Sequence, residues 1–85
     1  MLKPSPDVVL TKNEDAAVLL DKKSGGYYRL NPMAVAVYES ISAGRQERDV
    51  VAELQDRFPD AHDRIADDVR RLLTTLRSAG LLVAS

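Results

Sequence analysis

The chain has 85 residues, 45% of them hydrophobic, which suits one hydrophobic core and a single domain over residues 1–85. Twelve Lys and Arg against 13 Asp and Glu leave a formal charge of -1, the opposite of the basic excess with which nucleic-acid binders meet phosphate. The absence of cysteine excludes disulfides, a thiolate zinc site and a cysteine nucleophile, and nothing ties the chain to an oxidising compartment.

The first third reads as strands. Val8-Val9-Leu10-Thr11 is β-branched and apolar, Asn13-Glu14-Asp15 is turn-forming, and Ala16-Ala17-Val18-Leu19-Leu20 is a second apolar run of strand length. After the polar, glycine-containing turn Asp21-Lys22-Lys23-Ser24-Gly25-Gly26 comes a third extended stretch, Tyr27-Tyr28-Arg29-Leu30. Together these predict an antiparallel meander, preceded by a few linker residues.

The apolar period then lengthens from two to about 3.6. Asn31 is a good N-cap and Pro32 suits the first helical position, so a helix is predicted from Pro32 to Ala43, ended by Gly44. Val50, Val51, Leu54 and Phe58 predict a second, over Glu47 to Arg57, stopped ahead of Pro59. Ile65, Val69, Leu72, Leu73 and Leu76 form a single apolar stripe on a third, which Gly80 caps before Leu81-Leu82-Val83 returns apolar mass to the core. The expected fold is therefore α+β: a three-stranded antiparallel sheet followed by three helices, with a winged-helix-like order.

Residues for chemistry are scarce. His62, the only histidine, lies between Asp60 and Asp63, but zinc needs three or four converging ligands, and acidic residues in a first helical turn are expected from the helix dipole. Ser24, Ser40, Ser42 and Ser78 sit in no nucleophile-elbow pattern, and Gly25-Gly26 belongs to no phosphate-binding loop. No catalytic residue, metal or cofactor is expected. Neither is a membrane span, since no apolar run approaches about 18 residues. Met1-Leu2-Lys3-Pro4-Ser5-Pro6 has no signal-type apolar stretch, so the expected location is cytoplasmic.

Binding remains. One reading is a winged helix-turn-helix on DNA, with Arg70, Arg71 and Arg77 of the third helix meeting phosphates, but Asp67 and Asp68 share that helix. Another is a structural subunit that stabilises a protease. The third is peptide capture: the third strand has no fourth strand after it, and an open edge is a row of unpaired backbone groups that another chain completes.

The ordered set Leu20-Asp21, Ser24-Gly25-Gly26-Tyr27-Tyr28-Arg29-Leu30-Asn31-Pro32-Met33-Ala34, Gly44, Arg57-Phe58-Pro59, Asp67-Asp68-Val69, Leu72-Leu73, Leu76-Arg77 and Gly80-Leu81-Leu82 resembles the PqqD-like family of precursor-peptide recognition elements. The resemblance runs from about Val8 to Val83 and is strongest to the small stand-alone members of lasso-peptide biosynthesis. It implies that the leader of a ribosomally made precursor adds a strand along the third strand and packs against the third helix. It also implies two protein partners, a cysteine protease that removes the leader and an ATP-dependent cyclase, and no cofactor.

Carried onto this sequence, the edge is Tyr27, Tyr28, Arg29 and Leu30, with Tyr28 and Leu30 on one face and Tyr27 and Arg29 on the other. On the third helix Val69 lies near the middle of the stripe, Ala66, Arg70, Leu73 and Arg77 along one flank, and Asp68 along the other. One flank borders the groove, and spacing alone leaves both open. Leu73 is the expected apolar floor and Arg70 or Arg77 the rim charge, with Asp68 as the counterpart on the other flank.

Overall fold

The computed structural model describes residues 1–14 and 16–84. Its elements are β1 (Leu2–Pro4), β2 (Val8–Lys12), β3 (Ala17–Asp21), β4 (Tyr27–Leu30), α1 (Pro32–Ser42), α2 (Glu47–Arg57), a 3-10 turn (Pro59–Ala61), α3 (His62–Ser78) and β5 (Leu82–Ala84). The expected α+β order holds, and the predicted third strand is β4. Of the predicted first turn, Asp15 lies outside the described residues.

Period-two patterning sets the meander. Val8 and Leu10 of β2, Ala17 and Leu19 of β3, and Tyr28 and Leu30 of β4 turn toward the helices, with Leu19 fully buried. The strands pair antiparallel in the order β2-β3-β4, Leu19 lying beside Leu10 on one side and Tyr28 on the other. A one-residue slip would expose that whole inward set, so burial fixes the register. At the β3–β4 turn the Asp21 carboxylate accepts from Lys23 N–H and Ser24 Oγ, each at 3.0 Å, and Gly25 takes a φ of 78°.

The start of α1 and the end of α3 satisfy orphan backbone groups with a side chain and with backbone, respectively. Asn31 Oδ1 accepts the Ala34 N–H at 2.8 Å with Pro32 in the first turn, which ties the start of α1 to the end of β4. After α3, Gly80 at a φ of 75° reverses the chain, and Leu81 N–H donates to Leu76 C=O at 2.9 Å. Leu81 and Leu82 are thereby buried with Ile65, Val69, Leu73 and Leu76 of α3, Val50 and Leu54 of α2, and Val37, Tyr38 and Ile41 of α1. Burying each large aliphatic side chain contributes about 1.5–3 kcal/mol.

One feature differs from the sequence-based expectation. The first residues are not a linker: Leu2–Pro4 is a strand, and it pairs antiparallel with β5 as a second, two-stranded sheet. Leu2 packs against the core, and the pairing to Leu82–Ala84 overrides the poor strand propensity of a proline-containing segment. A three-residue strand is too short to display periodicity, so nothing local announced it.

Candidate functional site

The site starts from which backbone groups of β4 the sheet leaves unused. Asp21 N–H donates to Gly26 C=O at 2.9 Å, which sets the phase of the β3–β4 ladder. Two residues on, Leu19 and Tyr28 exchange hydrogen bonds, and then Ala17 and Leu30; the intervening pairs, Leu20 with Tyr27 and Val18 with Arg29, turn their backbone groups outward. The β2–β3 hairpin gives the same phase, because Asn13 N–H donates to Ala16 C=O at 2.9 Å. The N–H and C=O groups of Tyr27 and Arg29 therefore point away from β3, and among the described residues no strand lies beyond β4.

A cleft opens where β4 passes into α1. It has a volume of about 160 Å³ and is lined by Asn31, Met33, Ala34 and Val37 from the β4–α1 junction and by Asp68, Val69 and Leu72 from α3. A second cavity, of about 260 Å³, lies on the other side of the same junction, since Lys12 of β2, Ala17 of β3 and Ala16 just before it line it. The cleft has no lining residue from β2 or β3, and Asn31, which directly follows β4, ties it to the end of that strand. Its walls are apolar and its rim carries one charge, the exposed Asp68 carboxylate. The side-chain oxygen of Asn31 is already taken by the Ala34 N–H.

The predicted residues divide accordingly. Tyr27 and Arg29 face outward, Tyr27 with 71% of its surface exposed; Tyr28 is half-buried and Leu30 is buried against the helices. Val69 is buried at the base of the cleft and Asp68 stands at its rim. Leu73, expected as the floor, is instead a core residue with 2% exposure and does not line the cleft. Ala66, Arg70 and Arg77 are exposed on the far flank. Arg70 reaches Glu47 of α2 at 3.8 Å, and Arg77 lines a different cavity with Met1, Leu2 and Ala84. The flank that lines the cleft is that of Asp68, and its apolar wall is Leu72.

Sequence reasoning missed Asn31, Met33, Ala34, Val37 and Leu72 as cleft residues. Met33 and Val37 stand four apart on α1 and so share a face, and Leu72 lies on the Asp68 side of the α3 stripe. Those spacings were visible; which helix face meets which strand edge was not. Elsewhere, His62 is exposed with Nδ1 3.4 Å from Asp63 Oδ1. Among the described residues, no group of three or more His, Cys, Asp or Glu is placed to hold a metal, and no helix is long and apolar enough to cross a membrane.

A meander whose β4 edge is open, laid on three helices so that α1 and α3 frame a cleft at the end of that strand, defines a winged-helix-like α+β domain. The family model described as Coenzyme PQQ synthesis protein D (PqqD) matches residues 16–82, and the chain belongs to that family. No curated protein matches the chain. Its fold is shared with two solved structures. One is described as TbiB1 in complex with the TbiA(beta) leader peptide, with a TM-score of 0.86 and 23% identity over 98% of this chain and 96% of that one. The other is described as lasso peptide synthetase B1 complexed with the leader peptide, with a TM-score of 0.88 and 24% identity over 98% of both chains.

Proposed function

We propose that the chain captures the leader segment of a ribosomally made precursor, in lasso-peptide biosynthesis, by taking it as a further strand on the β4 edge. The observation that carries this reading is the outward backbone of Tyr27 and Arg29 beside an apolar cleft. Membership of the PqqD family and a fold shared with two leader-peptide complexes support it. Main-chain hydrogen bonds to Tyr27 and Arg29 give affinity with little sequence demand, at about 0.5–1.5 kcal/mol each. One apolar side chain buried in the cleft adds about 1.5–3 kcal/mol against an ordering cost of several kcal/mol, so both contributions are needed.

On this reading the domain has no chemistry of its own and works in the cytoplasm by raising the local concentration of precursor beside a cysteine protease and an ATP-dependent cyclase. The outer sheet face offers those enzymes a place to dock: Val9 and Leu20, at 40% and 39% exposure, lie in one cross-strand row with Tyr27. Exposed apolar groups gathered on one face mark contact surfaces.

Titrating a labelled lasso-precursor leader peptide against the full chain tests the capture, and no saturable binding at high micromolar protein sinks it. Arg29→Pro tests the edge. Proline is tolerated on an edge strand, and the extended Tyr28 before it is compatible with it. The lost N–H is expected to weaken leader binding on the order of five- to tenfold with the fold retained.

A further inference from the structure

The outer face of the sheet carries a cation with a vacant flank. Thr11, Val18 and Arg29 form one cross-strand row, and Arg29 is at its open end. Val18 offers it no charge, and among the described residues Arg29 makes no ion pair; none of the pairs Lys12–Glu39, Arg45–Glu53, His62–Asp63 and Arg70–Glu47 includes it. Asp7 lies at the opposite end of the sheet, across from Lys22. A strand added to β4 would place one of its side chains directly beside the Arg29 guanidinium.

We infer that Arg29 reads charge in the guest, and that peptides held at this edge follow a pattern fixed by the ladder. Apolar side chains stand beside Tyr28 and Leu30, an apolar or aromatic one beside Tyr27, and an acidic one beside Arg29. This rests on the capture reading and goes beyond it by naming the class of peptide. Side-by-side residues in adjacent strands share a face whichever way the added strand runs. Guest residues beside Tyr28 and Leu30 must therefore turn toward the helices, where Met33, Val37, Val69 and Leu72 wait. A polar side chain there loses water and finds little in exchange, because Asn31 Oδ1 is engaged and Asp68 is the one charged lining residue.

The guest residue beside Tyr27 extends the row of Val9 and Leu20, where aromatic and branched neighbours attract. The one beside Arg29 meets a positive charge with no other partner; an acid there is favoured and a base is repelled. Charge selectivity thus arises at a position whose side chain never enters the cleft, while the cleft itself selects only apolar bulk at two positions, i and i+2.

A displayed library of random short peptides, selected in parallel on the full wild-type chain and on Arg29→Glu, tests this, with Arg29→Gln as a milder variant and circular dichroism as the check on folding. The expected result is the same apolar i, i+2 pair in every pool. An acid is enriched at the intervening position on the wild type, a base on Arg29→Glu, and neither on Arg29→Gln. For a synthetic peptide from the wild-type pool, acid-to-lysine exchange should weaken binding about two- to fivefold at low salt, and Arg29→Glu should restore it. Pools sharing the apolar pair but indifferent to the charge at residue 29 would overturn the inference and leave edge capture standing. Pools whose peptides keep their affinity for Arg29→Pro, or no enrichment on a folded chain, would overturn both.

Discussion

The two flanks of α3 carry different charges and have different surroundings. On one, Asp68 and Leu72 border an open cleft beside β4; on the other, Arg70 is drawn to Glu47 of α2 and Arg77 sits near both chain ends. Between them Val69, Leu73 and Leu76 are sealed in the core. A leucine's place on an amphipathic stripe therefore says little about whether it holds the fold or is free to touch a guest. The decision falls between neighbours, Leu72 and Leu73, one residue and about 100° of helix apart.

That contrast is most sharply broken by exchanging the roles of the two leucines. Leu73→Ala leaves a cavity in the core and is expected to cost about 2–5 kcal/mol, seen as a lower denaturant midpoint with an unchanged slope. The fraction that remains folded should bind the leader with near wild-type affinity. Leu72→Ala should do the reverse, costing about 1 kcal/mol of stability and weakening leader binding on the order of tenfold, since the cleft loses an apolar wall. Equal binding losses in the two variants would mean that the cleft is not where the guest packs.

How far the sequence went can be followed through the same residues. The meander, the helix starts and the stripe on α3 were legible because each rests on local chemistry: alternation in β2 to β4, the Asn31-Pro32 cap, the glycine after α3. The edge at Tyr27–Leu30 was legible too, as a strand with no successor. What was hidden required knowing which surfaces meet. That Leu72 rather than Leu73 lines the cleft was hidden because both lie near the apolar stripe, and only the packing of α1 across α3 decides which one is covered. The β1–β5 pair was hidden because its two strands are short and lie at opposite ends of the chain.

A smaller effect separates the charges. Arg70 is mostly exposed and 3.8 Å from Glu47, so Arg70→Ala should change stability by less than about 0.5 kcal/mol and leave leader binding unaltered. Asp68→Asn, at the cleft rim, should instead change affinity a fewfold, with a direction that depends on the charge of the guest residue nearest it, and with little effect on stability. Isothermal titration and thermal melts of both variants check the pair. A binding defect in Arg70→Ala with none in Asp68→Asn would assign the guest to the wrong flank.

The smallest effect concerns the turn that leads into the β4 edge. The Asp21 carboxylate accepts the Lys23 N–H and Ser24 Oγ, and these hydrogen bonds to its charged form hold it below the ordinary value of 3.8. Because the folded value is the lower one, the stabilisation is present in full above the unfolded value and is lost as pH falls through the folded one. Acidification from pH 5 through about 3.8 and lower should therefore loosen the β3–β4 turn before the α3 core yields. Amide exchange read at Lys23 and Gly26 reports that loosening directly, while Leu76 serves as the core reference. In Asp21→Asn the acid-dependent part of the difference between turn and core should vanish, and its persistence would place the responsible carboxylate elsewhere.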